Sequence, residues 1–192
     1  MRHYTLPCST DGGLELVAPA PRYVEAMLTA GEHPGCFGES VSTWGRQQLH
    51  DLIAQTPAGF DFGNPWLGRW PAYVFWMHAL PSENVPLSIV GTCSMRLGAD
   101  EQLTLYTGHI GYGVFPPARG RRFAERATRL LLPLAKLHGY PCVWITVNPD
   151  NAPSRITIER VGGRLIDVVD IPLNNPARHD GSTQKCRYRI DL

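Results

Sequence analysis

The chain has 192 residues, 18 of them basic and 17 acidic, for a net charge of +1. That length supports one domain with a substantial core and is short for two, so residues 1–192 read as a single domain. The near-neutral balance excludes general polyelectrolyte attraction to nucleic acid or a membrane surface, and no apolar run approaches the ~18 residues that span a bilayer.

At the start, MRHYTLPCST lacks the apolar centre of a secretory signal. Cys8, Cys36, Cys93, Cys142 and Cys186 are scattered and form no C-x-x-C pair, which argues against a zinc site and a disulfide framework. A reduced, cytoplasmic protein without a metal is the expectation, as a monomer or a homodimer. Leu14–Val17 reads as a first strand. PRYVEAMLTAG follows as a helix, with proline in its first turn, Gly31 at its end, and Tyr23, Met27 and Leu28 on its core face. EHPGCFGE is a loop. Ser40 or Ser42 then caps a second helix whose apolar side is Trp44, Leu49, Leu52 and Ile53.

Residues 56–71 form a loop rich in glycine and proline that carries Phe60, Phe62, Trp66 and Trp70. Such aromatics either cap the core or line a pocket for a second substrate, and Asp61 beside them could attract a cationic amine. Residues 73–77 and 87–97 are strands around the turn PSENVP. Residues 98–107 are polar enough for a loop.

The centre of the chain is GHIGYGVFPPARGRRFAERATRLLLPLAKLHG. IGYGVF is a strand stopped by Pro116 and Pro117. A helix follows, with Phe123, Ala127, Leu130, Leu131, Leu134 and Leu137 on one side and Arg122, Arg126 and Arg129 on the other. Pro133 should kink or end it. A strand, a glycine-containing turn and a helix start together form an anion site, because the first N–H groups of a helix lack internal partners. Five arginines stand against one glutamate between 119 and 129, a local balance of +4. They suit a ligand with several phosphates, or else form a solvated helix face. Further on, residues 142–147 are a buried strand, about 150–161 a helix, 164–171 extended, and 185–190 the last strand.

The segment Arg119-Gly120-Arg121-Arg122-Phe123-Ala124 resembles the acyl-CoA loop of the GCN5-related N-acetyltransferases, R/Q-x-x-G-x-G/A. Arg122 stands where that pattern has its middle glycine, so it must hold a tolerable backbone conformation or mark a weakened site. The run from Val147 to Ser154, followed by Glu159 to Gly163, resembles the same family's second segment, N-x-x-S, a helix and a glycine turn. The resemblance covers about residues 86–170 and is strongest to predicted acetyltransferases without an assigned substrate. It implies an α/β fold of α+β type, a mostly antiparallel central sheet of about seven strands with helices on both faces. It also implies acetyl-CoA as acyl donor, bound by Gly113, Val114, Phe115, the 119–124 loop and Asn151, with no metal.

Acyl transfer to an amine needs an unprotonated nucleophile, stabilisation of the oxyanion and a proton for the leaving thiolate. His109, Gly111, Gly113 and Phe115 share one face of the central strand, and the two glycines leave a trough. His109 stands where many relatives carry a glutamate, so it could act as base, or it could be a hydrogen-bonded histidine at a strand end. The family's usual tyrosine is replaced by Ile158. Ser154 could hydrogen-bond the thiolate, Asn151 could contact the pantetheine or cap the helix, and Tyr112 is a fallback acid on the face opposite His109. The expected activity is direct, ternary-complex acetyl transfer to a primary amine of a small molecule or peptide. The alternatives are a silent acyl-CoA sensor and an unrelated nucleotide-binding protein, although no G-x-x-x-x-G-K-[ST] occurs.

Overall fold

Antiparallel pairing organises the protein into two sheets that meet along one pair of strands. The computed structural model describes residues 3–33, 45–64, 69–178 and 181–192. Ser40, Ser42, Trp44 and Trp66, singled out in the sequence, lie outside them.

The first sheet contains β1 (Leu14–Val17), β2 (Phe60–Asp61), β3 (Ala72–Ala79), β4 (Ile89–Arg96) and β5 (Ile110–Val114). Its order is β1-β3-β4-β5, with β2 also paired to β3. The second runs β6-β8-β7, from β6 (Cys142–Val147), β7 (Arg164–Asp170) and β8 (Gln184–Asp191). The mixed, antiparallel α/β class is as expected; among the described residues eight strands lie in two sheets, against about seven in one, because β5 and β6 separate instead of forming a ladder. The extra strand, β2, is a two-residue piece inside the loop expected at 56–71.

The described residues also form four α-helices. They are α1 (Val24–Gly31), α2 (Arg46–Gln55), α3 (Phe123–Leu137) and α4 (Ala152–Arg160). In α3 the apolar periodicity converts directly into burial. Phe123, Ala127, Leu130, Leu131 and Leu134 join one core cluster with strands of both sheets. Leu137, in the last turn, is 48% exposed and leaves that face. The helix also continues through Pro133 to Leu137 instead of ending. Pro133 is exposed, so the Arg129 carbonyl that loses its partner can face water.

Two loop expectations change. Residues 103–107 close a π-turn, with the Gly108 N–H on the Leu103 carbonyl at 2.7 Å. Asp100 Oδ1 accepts the Leu103 N–H and Leu103 itself is buried, which fixes the turn. Among the aromatics of 56–71, Phe60 enters the core, Phe62 is exposed, and the Trp70 indole donates to Asp100. Asp61 cannot recruit a cationic amine, because Arg69 pairs with it at 2.7 Å and the Gly63 N–H takes its other oxygen.

Candidate active site

The cleft begins where β5 leaves β6. The His109 N–H donates to the Trp144 carbonyl at 2.7 Å, and the Trp144 N–H donates to His109 Nδ1 at 3.0 Å. The other ring nitrogen, Nε2, lies 3.2 Å from the Gly98 carbonyl. Gly108 has φ +77°, and a Cβ there would meet the Thr146 nitrogen at 2.9 Å. Only glycine supplies both that conformation and that approach. Of the two readings of His109, these bonds match the hydrogen-bonded histidine at a strand end and not the base. Both ring nitrogens are engaged, the residue is 2% exposed, and burial lowers its pKa. It acts as a neutral brace at the apex of a V.

Beyond the apex, the ladder partner of β5 among the described residues is β4. The Phe115 N–H donates to the Val90 carbonyl at 2.8 Å. By the alternation of an antiparallel ladder, the backbone groups of Tyr112 and Val114 then point away from β4, toward the opening. The Val114 carbonyl accepts from Arg119 Nε at 3.1 Å, in keeping with that direction.

At the open end of β5 lies the arginine loop. Gly120 and Arg122 both adopt left-handed backbone conformations, at φ +80° and +60°. Arg122 thus holds a backbone conformation ordinarily left to glycine, at a strain of about 1–2 kcal/mol for a non-glycine residue. It precedes α3 as its N-cap without any side-chain capping bond. The first intrahelical bond runs from the Arg126 N–H to the Arg122 carbonyl. The Phe123, Ala124 and Glu125 N–H groups are left at the helix start, where the macrodipole is positive. Positions where a Cβ would meet nothing, Gly113 and Gly120, keep the approach open.

The loop's charge is smaller than the sequence sum. Arg126 is held by Asp11 at 2.6 Å and by Glu83 at 2.9 Å, and the hydrogen bond from Arg126 keeps the Asp11 carboxyl well below the usual range. Counting those two acids lowers the local balance from +4 to +2. Arg121 donates to the Glu83 carbonyl and Arg129 to Glu125. Long-range ion pairs of this kind are invisible in a local charge count.

Tyr112 and Ser154 close the other wall. Asn151 caps α4 through its side chain, accepting the Ser154 N–H at 3.1 Å. That sets Ser154 Oγ 2.9 Å from the Tyr112 hydroxyl, across the gap between β5 and α4. Burial raises the Tyr112 pKa, so its phenol stays protonated. The Tyr188 hydroxyl, bonded to Arg155 and Glu159, fixes α4 from behind. A cavity of about 240 Å³ runs between these elements, lined among others by Gly111, Tyr112, Asn151 and Ser154.

Half of the expected glycine trough is filled. A Cβ on Gly111 would lie 3.1 Å from Arg96 Nη1, so the Arg96 guanidinium occupies that place. Arg96, Asn148 and Lys185 also line the cavity and were missed in the sequence. An arginine ending the apolar strand IVGTCSMR was the available signal. Cys93 is buried, with its thiol pKa pushed well up by burial, so it offers no thiolate. The described residues contain no cluster of three His, Cys, Asp or Glu side chains that could hold a metal. They contain no helix long and apolar enough to cross a membrane.

Comparison with known proteins gives the fold a context. A family model described as an acetyltransferase (GNAT) domain matches residues 22–164. No curated protein matches the chain. Among solved structures, the microcin C7 self-immunity acetyltransferase MccE, in complex with acetyl-CoA and AMP, superposes with a TM-score of 0.65. It is 19% identical over 97% of this chain and 98% of its own. RimL, a ribosomal L7/L12 α-N-protein acetyltransferase in complex with coenzyme A, also reaches 0.65, at 15% identity and 97% coverage of both chains. An acetyltransferase from Agrobacterium tumefaciens str. C58 gives 0.59, at 17% identity over 100% of this chain and 98% of that one. At these identities the likeness is one of fold.

Proposed function

Because the chain belongs to the GNAT acetyltransferase family, we propose that it moves an acetyl group from acetyl-CoA to a primary amine of a small molecule or peptide by direct transfer in a ternary complex. The observation that carries this reading is the V between β5 and β6, with the left-handed 119–124 loop at its open end and Tyr112 and Ser154 on its wall. The residues fit the donor. The N–H groups of Phe123 and Ala124, with Gly120 and the arginines, would hold its diphosphate. The outward backbone of Tyr112 and Val114, beside the bare Gly113, would hold the pantetheine, Phe115 anchors that strand, and Asn151 positions α4. Acetyl-CoA supplies an activated thioester carbonyl.

In this reading Tyr112 donates the proton to the departing thiolate sulfur, with Ser154 orienting the phenol. A phenol is a far better acid than the serine hydroxyl, and its raised pKa keeps the proton available. The described lining residues include no carboxylate and no imidazole, so the amine enters neutral or loses its proton to water. Direct transfer follows from the inertness of Cys93 and the lack of another activated nucleophile in the lining. The loop keeps its left-handed turn despite Arg122, which supports donor binding under the transfer reading and the sensor reading alike.

The test is a thermal shift with acetyl-CoA and with 3′,5′-ADP, followed by thiol release over a panel of amines. Ligand at about a hundred times its dissociation constant adds roughly 2.7 kcal/mol, or about 5–10 °C for a chain of this size. Absence of any shift would remove the acetyltransferase reading, and binding without turnover across all amines would favour the sensor.

A further inference from the structure

Arg96 closes β4, and its backbone N–H donates to the His109 carbonyl at 2.7 Å. Its side chain turns back over β5. Nη1 and Nη2 lie 3.1 and 3.3 Å from the point where a Gly111 Cβ would stand, so the guanidinium rests on the bare strand. Its hydrogen bond among the described residues is a long one, from Nη1 to the Gly108 carbonyl at 3.3 Å. No ion pair among the described residues involves it. Burial is heavy enough to lower the Arg96 pKa.

A half-buried guanidinium with one long protein hydrogen bond keeps donors available to an anion in the cavity that it lines. Among the described residues, no acid pairs with Arg96. The residues lining the cavity among those described include two cations, Arg96 and Lys185, and no aspartate or glutamate. Asp100, the nearby acid, is occupied by the Trp70 indole and the Leu103 N–H.

The position relative to the chemistry is specific. Gly111 and Tyr112 are consecutive on β5 and face opposite sides of the strand. Tyr112 meets Ser154 on the α4 side, whereas Arg96 lies against the Gly111 side. An acceptor approaching from the Gly111 side would reach the reacting carbonyl beside a fixed cation.

We propose that Arg96 is a specificity-determining residue that binds a carboxylate on the acceptor, so that the substrate is an amine bearing a nearby carboxylate and not a polyamine or a lysine-rich segment. This inference rests on the acetyl-transfer reading above and narrows its acceptor. The planar fork of the guanidinium pairs both oxygens of a carboxylate. The same charge disfavours a protonated amine in the cleft, which helps the acceptor enter as a nucleophile.

The test compares free amino acids, aspartate and glutamate included, with their C-terminal amides and with putrescine and spermidine. Thiol release is measured for wild type, Arg96→Lys and Arg96→Gln. Wild type should prefer the carboxylate member of a pair by about 10- to 150-fold in kcat/KM, the range for a hydrogen bond to a charged group. Arg96→Gln should erase the preference, mainly through KM, and Arg96→Lys should restore part of it. Unchanged preference in Arg96→Gln, or a wild-type preference for amides or polyamines, would overturn the proposal.

Should no amine be turned over, N-acetylated amino acids and their amides are compared by thermal shift with coenzyme A present. A shift confined to the carboxylates and lost in Arg96→Gln supports the site, and no carboxylate-specific shift overturns it. Acetyl-CoA binding by Arg96→Gln is the control for folding. Failure of wild type to bind acetyl-CoA would sink the acetyl-transfer reading by itself, whereas failure here alone leaves that reading intact.

Discussion

At its N-terminal end β5 is tied to β6 through the His109 backbone and ring, while at Val114 the same strand has β4 as its ladder partner and presents its other edge to an opening. Four or five residues separate a closed seam from a cleft. The closed end is dry and uses glycine to bring two backbones together. At the open end, glycine leaves space that nothing fills. The difference teaches that the same residue type, repeated along one strand, serves two opposite purposes. A rigid apex holds the two sheets at a fixed splay, and the splay makes room for a ligand.

Substitutions at each end should separate these purposes. The largest effect is expected at the cleft. Tyr112→Phe keeps the packing but removes the phenolic proton and the 2.9 Å contact with Ser154, so kcat should fall by about 100-fold or more. Ser154→Ala should cost less. Near-wild-type turnover in Tyr112→Phe would assign the proton to another group. Alkaline loss of activity in wild type should begin only above the phenol's ordinary value of 10.0, which a pH–rate profile checks.

At the apex, Gly108→Ala should lower stability without touching a ligand group. Gly108 sits at φ +77°, ψ 154°, a region open essentially to glycine, so an alanine there costs about 1–3 kcal/mol, and its methyl would press on the Thr146 nitrogen at 2.9 Å. A loss of about 2–4 kcal/mol in denaturant unfolding is expected, and a neutral result would mean that the seam is not tight.

His109→Gln should cost about 1–3 kcal/mol by leaving the Trp144 N–H or the Gly98 carbonyl poorly paired. It also carries a pH signature. The folded His109 pKa lies below its ordinary 6.5, so the unfolded chain binds the proton first. The contribution of neutral His109 is complete above about pH 6.5 and is lost as pH falls toward the folded value. Wild-type melts should therefore decline below that pH, and His109→Gln should show a shallower decline. His138, also shifted down by burial, adds to that slope, as do the paired carboxylates Asp11 and Asp167 at lower pH.

The smallest effect is expected in the loop. Arg122→Gly relieves a left-handed side chain at φ +60° but adds freedom to the unfolded chain. The two nearly cancel, so Tm should move by no more than about 3 °C, while Arg122→Ala keeps the strain. A large drop in Arg122→Gly would show that the arginine side chain holds the loop.

The sequence alone was enough for the elements whose signal is local. The α3 core face, the strands at 73–77 and 142–147, the turn at Gly120 and the start of α4 at Asn151 follow from periodicity, glycine and capping chemistry, which act within a few residues. The family resemblance rested on the same local segments. Tertiary structure alone decided which charges survive and which side chains meet. Arg126 is neutralised by Asp11 and Glu83, residues 115 and 43 positions away. Tyr112 reaches Ser154 across 42 residues, His109 is consumed by the seam, and Arg96 has no acid partner among the described residues. Each of these depends on two segments brought together by folding, and neither segment records its partner in its own composition.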